Sequence, residues 1–207
     1  MQIGIALYER FTALDAIGPY QTLGGLPGAD VVFVAERTGP VRDDSGRLAL
    51  VADKTFDEVP APDIVVVPGG PVQSDQTENE ALLGWLRAAD AHTTWTTSVC
   101  TGSLALAAAG LIDGREATSH WLALEELNKL GARSTGRRVV FDGKYVTAAG
   151  VSSGIDMGLT LVGRIAGDET AQAVQLMTEY DPQPPYDAGS PEKAPAHLVE
   201  RFRSTRG

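Results

Sequence analysis

Apolar and β-branched residues in this chain fall into short unbroken runs at 3–8, 31–35, 64–67 and 95–99, each closed by turn residues or by the start of an amphipathic stretch. Unbroken runs of this length read as strands buried on both faces. Between and after them, apolar positions recur every three or four residues, which predicts helices over 16–23, 78–90, 101–109, 121–130, 153–166 and 169–180. The alternation of the two patterns predicts a mostly parallel sheet covered on both faces, a three-layer α/β fold. Two segments interrupt it. Residues 41–50 carry Asp44, Ser45 and Gly46 between apolar flanks, and 139–146 carry the Asp142-Gly143 pair favoured in tight hairpin turns. Both are expected as hairpins added at the edges of the sheet. Residues 181–195 are too rich in proline for a helix or a central strand. With Tyr186 and the amphipathic 197–203 segment, this Pro-rich arm is expected to be ordered and to pack back on the rest of a single domain spanning 1–207.

Composition narrows the partners. With 207 residues and 43% hydrophobic content the chain can bury a sizeable core. A formal charge of −10, from 27 acidic and 17 basic residues without charge blocks, argues against nucleic acid or an anionic membrane and favours a small neutral or cationic ligand. The first residues, Met-Gln-Ile-Gly-Ile-Ala-Leu-Tyr, read as a strand rather than a signal peptide, and no apolar run reaches the roughly 20 residues of a membrane span. A cytoplasmic location is expected. One cysteine allows neither an intramolecular disulfide nor a resolving thiol.

That cysteine, Cys100, lies where the 95–99 strand runs into the helix beginning at Thr101. A side chain on such a turn sits beside the free N–H groups of a helix N-terminus, a setting that lowers thiol pKa values, so ionisation is expected to be easier than usual. The competing reading is a small buried hydrophobe. Asp15, in Phe11-Thr-Ala-Leu-Asp15, follows the first strand and reads either as a helix cap, with Pro19 in the first turn, or as a proton-handling carboxylate at the same rim. Gly69 and Gly70 follow the third strand and read either as a plain turn or as amides directed into a site. In open parallel sheets ligands bind beyond the C-terminal strand ends, where these three segments fall. His120 begins a helix and reads as structural or as a partner of Cys100; His92 and His197 read as structural or solvated. No spacing of Cys, His and carboxylates indicates a metal site, and neither common phosphate-binding loop is present.

The segments Leu14-Asp15-Ala-Ile-Gly-Pro-Tyr20, Val65-Val-Val-Pro-Gly-Gly-Pro71, Ser98-Val-Cys100-Thr-Gly102, Gly110-Leu-Ile-Asp-Gly114 through Trp121, Val139-Val-Phe-Asp-Gly143, Ala149-Gly150-Val-Ser-Ser-Gly154 and Tyr180-Asp-Pro-Gln-Pro-Pro-Tyr186 together resemble the DJ-1/PfpI superfamily, and within it the isocyanide hydratase branch. The resemblance implies a flavodoxin-like core, a homodimer, Cys100 as nucleophile and Asp15 as its acidic partner. Thr101, Gly69, Gly70, Gly150 and Val151 are then expected around the reacting atoms, with no cofactor. Thr101 stands where the protease-like members carry His, which disfavours peptide hydrolysis, and Asp15 stands where DJ-1-like members carry the longer Glu. The regulators that share these motifs append a DNA-binding domain, which is not expected here. The implied reaction is hydration of isocyanides to N-formamides through a covalent thioimidate. The alternatives are a redox or stress sensor acting by Cys100 oxidation, and a glyoxalase- or deglycase-like enzyme that enlists His120.

Overall fold

The computed structural model describes residues 1–204. In chain order the elements are β1 (Gln2–Ala6), α1 (Ala13–Leu23), β2 (Asp30–Ala35), β3 (Gly39–Arg42), β4 (Ala49–Ala52), β5 (Lys54–Thr55), β6 (Ile64–Val67), α2 (Ser74–Thr77), α3 (Glu80–Asp90), β7 (Trp95–Val99), α4 (Gly102–Ala108), β8 (Glu116–Ala117), α5 (Leu124–Lys129), β9 (Arg133–Ser134), β10 (Val139–Asp142), β11 (Tyr145–Ala148), α6 (Ser153–Ala166), α7 (Asp168–Met177) and α8 (Ala196–Ser204). Seven strands form one sheet in the order β10-β11-β7-β6-β1-β2-β5, parallel throughout except for the β10 edge. The predicted mostly parallel α/β architecture is therefore present. The central strands β1 and β6 are almost entirely buried, in keeping with their unbroken apolar runs.

Strand order reverses direction between β1 and β6: β1 leads outward to β2, and β6 leads the other way to β7. This topological switch point opens a crevice at the C-terminal strand ends. The hairpin expected at 139–146 is the β10–β11 edge of the sheet. The one expected at 41–50 is not an edge addition: β3 and β4 pair only with each other, and the outer edge is the two-residue β5. A pattern of apolar flanks around a turn specifies a hairpin but not which strand, if any, will accept it.

One face carries α1, α6 and α7, whose contact depends on missing side chains. A Cβ on Gly158 of α6 would lie 1.9 Å from Thr22 Oγ1, and one on Gly154 would lie 3.2 Å from Pro19 Cδ. Pro19 sits well inside α1 rather than in its first turn. The 121–130 helix is divided into a 3₁₀ turn, Trp121–Ala123, and α5. Of the Pro-rich arm, α8 buries Val199, whereas Tyr186 is 81% exposed and does not pack back. Among the described residues no helix is long and apolar enough to cross a membrane.

Candidate active site at the strand ends

Three adjacent strands deliver the three predicted segments to one place: Asp15 after β1, Gly69 and Gly70 after β6, and Cys100 after β7. Cys100 has φ 59°, the left-handed region that costs an L residue about 1–2 kcal/mol. Its peptide groups are held on both sides, which keeps it there. The N–H is shared between the carbonyls of Ala148 and Ala149 at 3.0 Å each, and the carbonyl accepts from Ser119 Oγ at 3.1 Å and Ser103 Oγ at 3.2 Å. Surrounding structure over-determines a strained residue, the pattern found where a nucleophile is aimed.

Asp15 is no helix cap. Thr12 occupies that position, and Asp15, three residues further on, is fully buried with Oδ2 accepting the Gly69 N–H at 3.0 Å. Its Oδ1 is buried without a hydrogen-bond partner, and the Cys100 thiol and the Asp44 carboxylate are the titratable neighbours that bear on the carboxyl. Burial pushes Asp15 up to about 7, against the opposing pull of the Gly69 amide and the thiol.

The thiol itself is held well above its ordinary range, first by burial and then by the Asp15 charge, while the Thr101 amide and hydroxyl pull the other way. The expected easy ionisation is thus overturned. One turn of backbone amides does not offset removal from water next to an acidic group. Both groups are thus pushed toward their neutral forms, the thiol more strongly than the carboxyl.

The two glycine amides serve the side chains rather than standing open. Gly69 N–H goes to Asp15, and Gly70 N–H donates to Thr101 Oγ1 at 2.9 Å while that hydroxyl donates back to Gly70 O at 2.8 Å. Only glycine fits this approach: a Cβ on Gly69 would lie 2.6 Å from Thr101 N, and one on Gly70 would lie 2.7 Å from Arg10 O. Gly102 is equally constrained, since its Cβ would lie 2.1 Å from Val67 O. The donor left beside the sulfur is the Thr101 N–H.

On the other side, Gly150 touches His120; a Cβ there would lie 2.5 Å from His120 Cδ2. His120 Nδ1 accepts the Leu122 N–H at 3.3 Å and so caps the 3₁₀ turn, while half-buried Val151 packs on the core beside Gly150. Two further residues belong to the site although no sequence pattern marked them. Tyr8, buried, donates its hydroxyl to Pro68 O at 2.8 Å and shares its surroundings with Asp15 and Cys100. Gln76, fully buried, donates to Gly70 O at 2.9 Å and fixes the glycine turn from behind. Tyr8 was masked as the last apolar residue of a strand, and Gln76 lies in a segment without periodicity.

The model of the DJ-1/PfpI family matches residues 1–164. The isonitrile hydratase of Pseudomonas putida is 43% identical over 98% of this chain and 89% of its own length. The transcriptional regulator GbdR of Pseudomonas aeruginosa is 32% identical over 86% of this chain but only 50% of its own length. A crystal structure of a ThiJ/PfpI family protein from Pseudomonas syringae superposes with a TM-score of 0.95 at 38% identity, covering 99% of this chain and 85% of that one. Drosophila melanogaster DJ-1β, at 20% identity and a TM-score of 0.77 over 86% of this chain and 97% of its own, shares the fold. A cysteine held on a strained strand-to-helix turn, a carboxylate facing it across the switch point and relatives matched over nearly the full length lead to one conclusion: this chain belongs to the DJ-1/PfpI family.

Proposed function

We propose that the protein hydrates isocyanides to N-formamides, with Cys100 as nucleophile and Asp15 as the group that moves protons. The observation that carries the reading is the placement of the fully buried Asp15 carboxyl, anchored by the Gly69 N–H, at the same strand ends as the buried Cys100 thiol. The terminal carbon of R–N≡C bears a lone pair and accepts a nucleophile, so it needs both a thiolate and a proton at one atom. As the sulfur attacks, its proton passes to Asp15 and from there to the carbon, which forms one C–S and one C–H bond and leaves the thioimidate R–N=CH–S. Asp15 carboxylate then takes a proton from water as the hydroxyl adds to the same carbon, and passes that proton on to nitrogen. Collapse of R–NH–CH(OH)–S breaks the C–S bond, releases R–NH–CHO and returns the proton to sulfur. Thr101 supplies an N–H beside the sulfur, and Gly69 and Gly70 hold Asp15 and Thr101 in place.

The full-length likeness to an isonitrile hydratase supports this assignment. Oxidation sensing depends on thiolate character and exposure, and Cys100 is 6% exposed with its thiol raised, which weighs against that alternative. A glyoxalase-like route places proton transfer on His120, whose Nδ1 is engaged in capping. The reading also carries a homodimer in the cytoplasm, with Leu14 and Tyr20 of α1 among the exposed apolar residues available to a second copy.

The test is loss of p-nitrophenyl isocyanide absorbance and chromatographic appearance of the N-formamide. Wild type is expected to turn over, and Cys100→Ala to fall to the uncatalysed background. An active Cys100→Ala protein ends the covalent scheme.

A further inference from the structure

Behind the glycine turn lies α2, a helix of four residues that is tied to the site twice. Asp75 pairs with Arg10 at 2.6 Å, and Arg10, held at φ 66°, turns its carbonyl to the back of Gly70, 2.7 Å from where a Cβ would stand. Gln76 makes the second tie. Its Nε2 donates to Gly70 O at 2.9 Å and to Val72 O at 3.2 Å.

Gly70 O is thereby held by two donors, the Gln76 amide and the Thr101 hydroxyl at 2.8 Å, which occupy both of its lone pairs. The Gly70 N–H donates back to Thr101 Oγ1 at 2.9 Å, and Thr101 follows the nucleophile directly and sets its own N–H beside the sulfur. From Gln76 to Gly70, Thr101 and Cys100, every link is a hydrogen bond or a peptide bond. Gln76, Thr101 and Cys100 are all buried, so water does not replace a link that breaks.

The far end of the same side chain shows that Gln76 is not the best residue for stability. Its Oε1 is buried with no hydrogen-bond partner among the described residues, and an unpaired buried acceptor is destabilising. A methionine has similar reach, fills the space without that acceptor and leaves Gly70 O bonded to Thr101.

We infer that Gln76 is a positioning residue for the Cys100 nucleophile: it fixes the Gly70 peptide, and through it Thr101, so that the Thr101 N–H stays aimed at the sulfur as negative charge develops there. The inference rests on the hydration reading for its effect on rate.

The experiment compares wild type, Gln76→Met and Gln76→Glu. With p-nitrophenyl isocyanide, Gln76→Met should lower kcat about tenfold, less than the loss of a donor that touches the charge itself, and leave KM within about twofold. Alkylation of Cys100 by iodoacetamide, followed by mass spectrometry, should slow by a similar factor, while the urea midpoint stays at or above that of wild type. At pH 6 the neutral carboxyl of Gln76→Glu donates to Gly70 O where the amide did, so this variant should keep more of the wild-type kcat than Gln76→Met. A Gln76→Met midpoint far below wild type, or turnover and alkylation unchanged in that variant, would show a residue that only holds the fold and would overturn the inference. Equal losses in the two variants at pH 6 would overturn it as well, because the donated hydrogen bond would then not matter. If wild type leaves the isocyanide unchanged, the hydration reading falls, and the alkylation rates alone decide whether Gln76 positions Cys100.

Discussion

At the scale of single residues, the candidate site sets a buried thiol beside a buried carboxyl, and burial raises both. Asp15 in the folded protein, at about 7, binds its proton more tightly than the same group in an unfolded chain, near 4. Between these values the folded state holds more protons than the unfolded one, so this group makes stability fall as pH rises, by up to 1.36 kcal/mol per unit and about 4 kcal/mol over the interval. Asp15→Asn cannot ionise and removes that slope. Urea denaturation from pH 4 to 8 should show the variant gaining on wild type as pH rises, and parallel curves would refute the raised carboxyl. The proposed reaction has the opposite dependence, since in it the carboxylate form accepts the thiol proton. In wild type kcat/KM should climb about tenfold per unit to a plateau above about pH 7, an apparent value that belongs to the Asp15–Cys100 pair. Cys100, Asp15 and the two glycines were legible in the sequence as candidate groups at strand ends, and Thr101 only through the family resemblance. The direction of the thiol shift was not, because burial is a property of what surrounds the sulfur.

At the scale of elements, α1 and α6 lie close because glycines on α6 face Thr22 and Pro19, and this contact fixes the helix that carries Asp15. Gly158→Ala would set a methyl 1.9 Å from Thr22 Oγ1. It should cost about 1–3 kcal/mol in denaturation and lower kcat by displacing Asp15 from Cys100. Thr22→Ala in the same chain should recover part of both losses; no recovery would mean that the damage arises elsewhere. Gly102→Ala is more severe, because the obstructing atom is the Val67 carbonyl oxygen, which belongs to the central sheet and has no rotamer to adopt. A loss of soluble folded protein is expected, read by circular dichroism. Strands and helices themselves were readable from periodicity. The fate of the 41–50 hairpin and the split of the 121–130 helix were not, since pairing partners and a cap by His120 Nδ1 are set by segments distant in sequence or by local geometry.

At the scale of the whole molecule, the switch point between β1 and β6 turns three separate segments into one site. The homodimer that accompanies the proposed function is checked by sedimentation equilibrium, which should give twice the 21.8 kDa of one chain; a monomer at micromolar concentration would remove it. The sequence by itself determined the layer architecture, because unbroken apolar runs alternating with amphipathic stretches can be buried only as a covered parallel sheet. It also singled out Cys100 as the candidate nucleophile, since there is one cysteine and it ends a strand. Only the tertiary structure decided that Asp15 meets Cys100 rather than capping α1, that the Gly69 and Gly70 amides hold Asp15 and Thr101, and that Tyr8 and Gln76 stand behind them. Those outcomes depend on distances between residues far apart in the chain and on the water each group loses, and neither quantity is carried by local pattern.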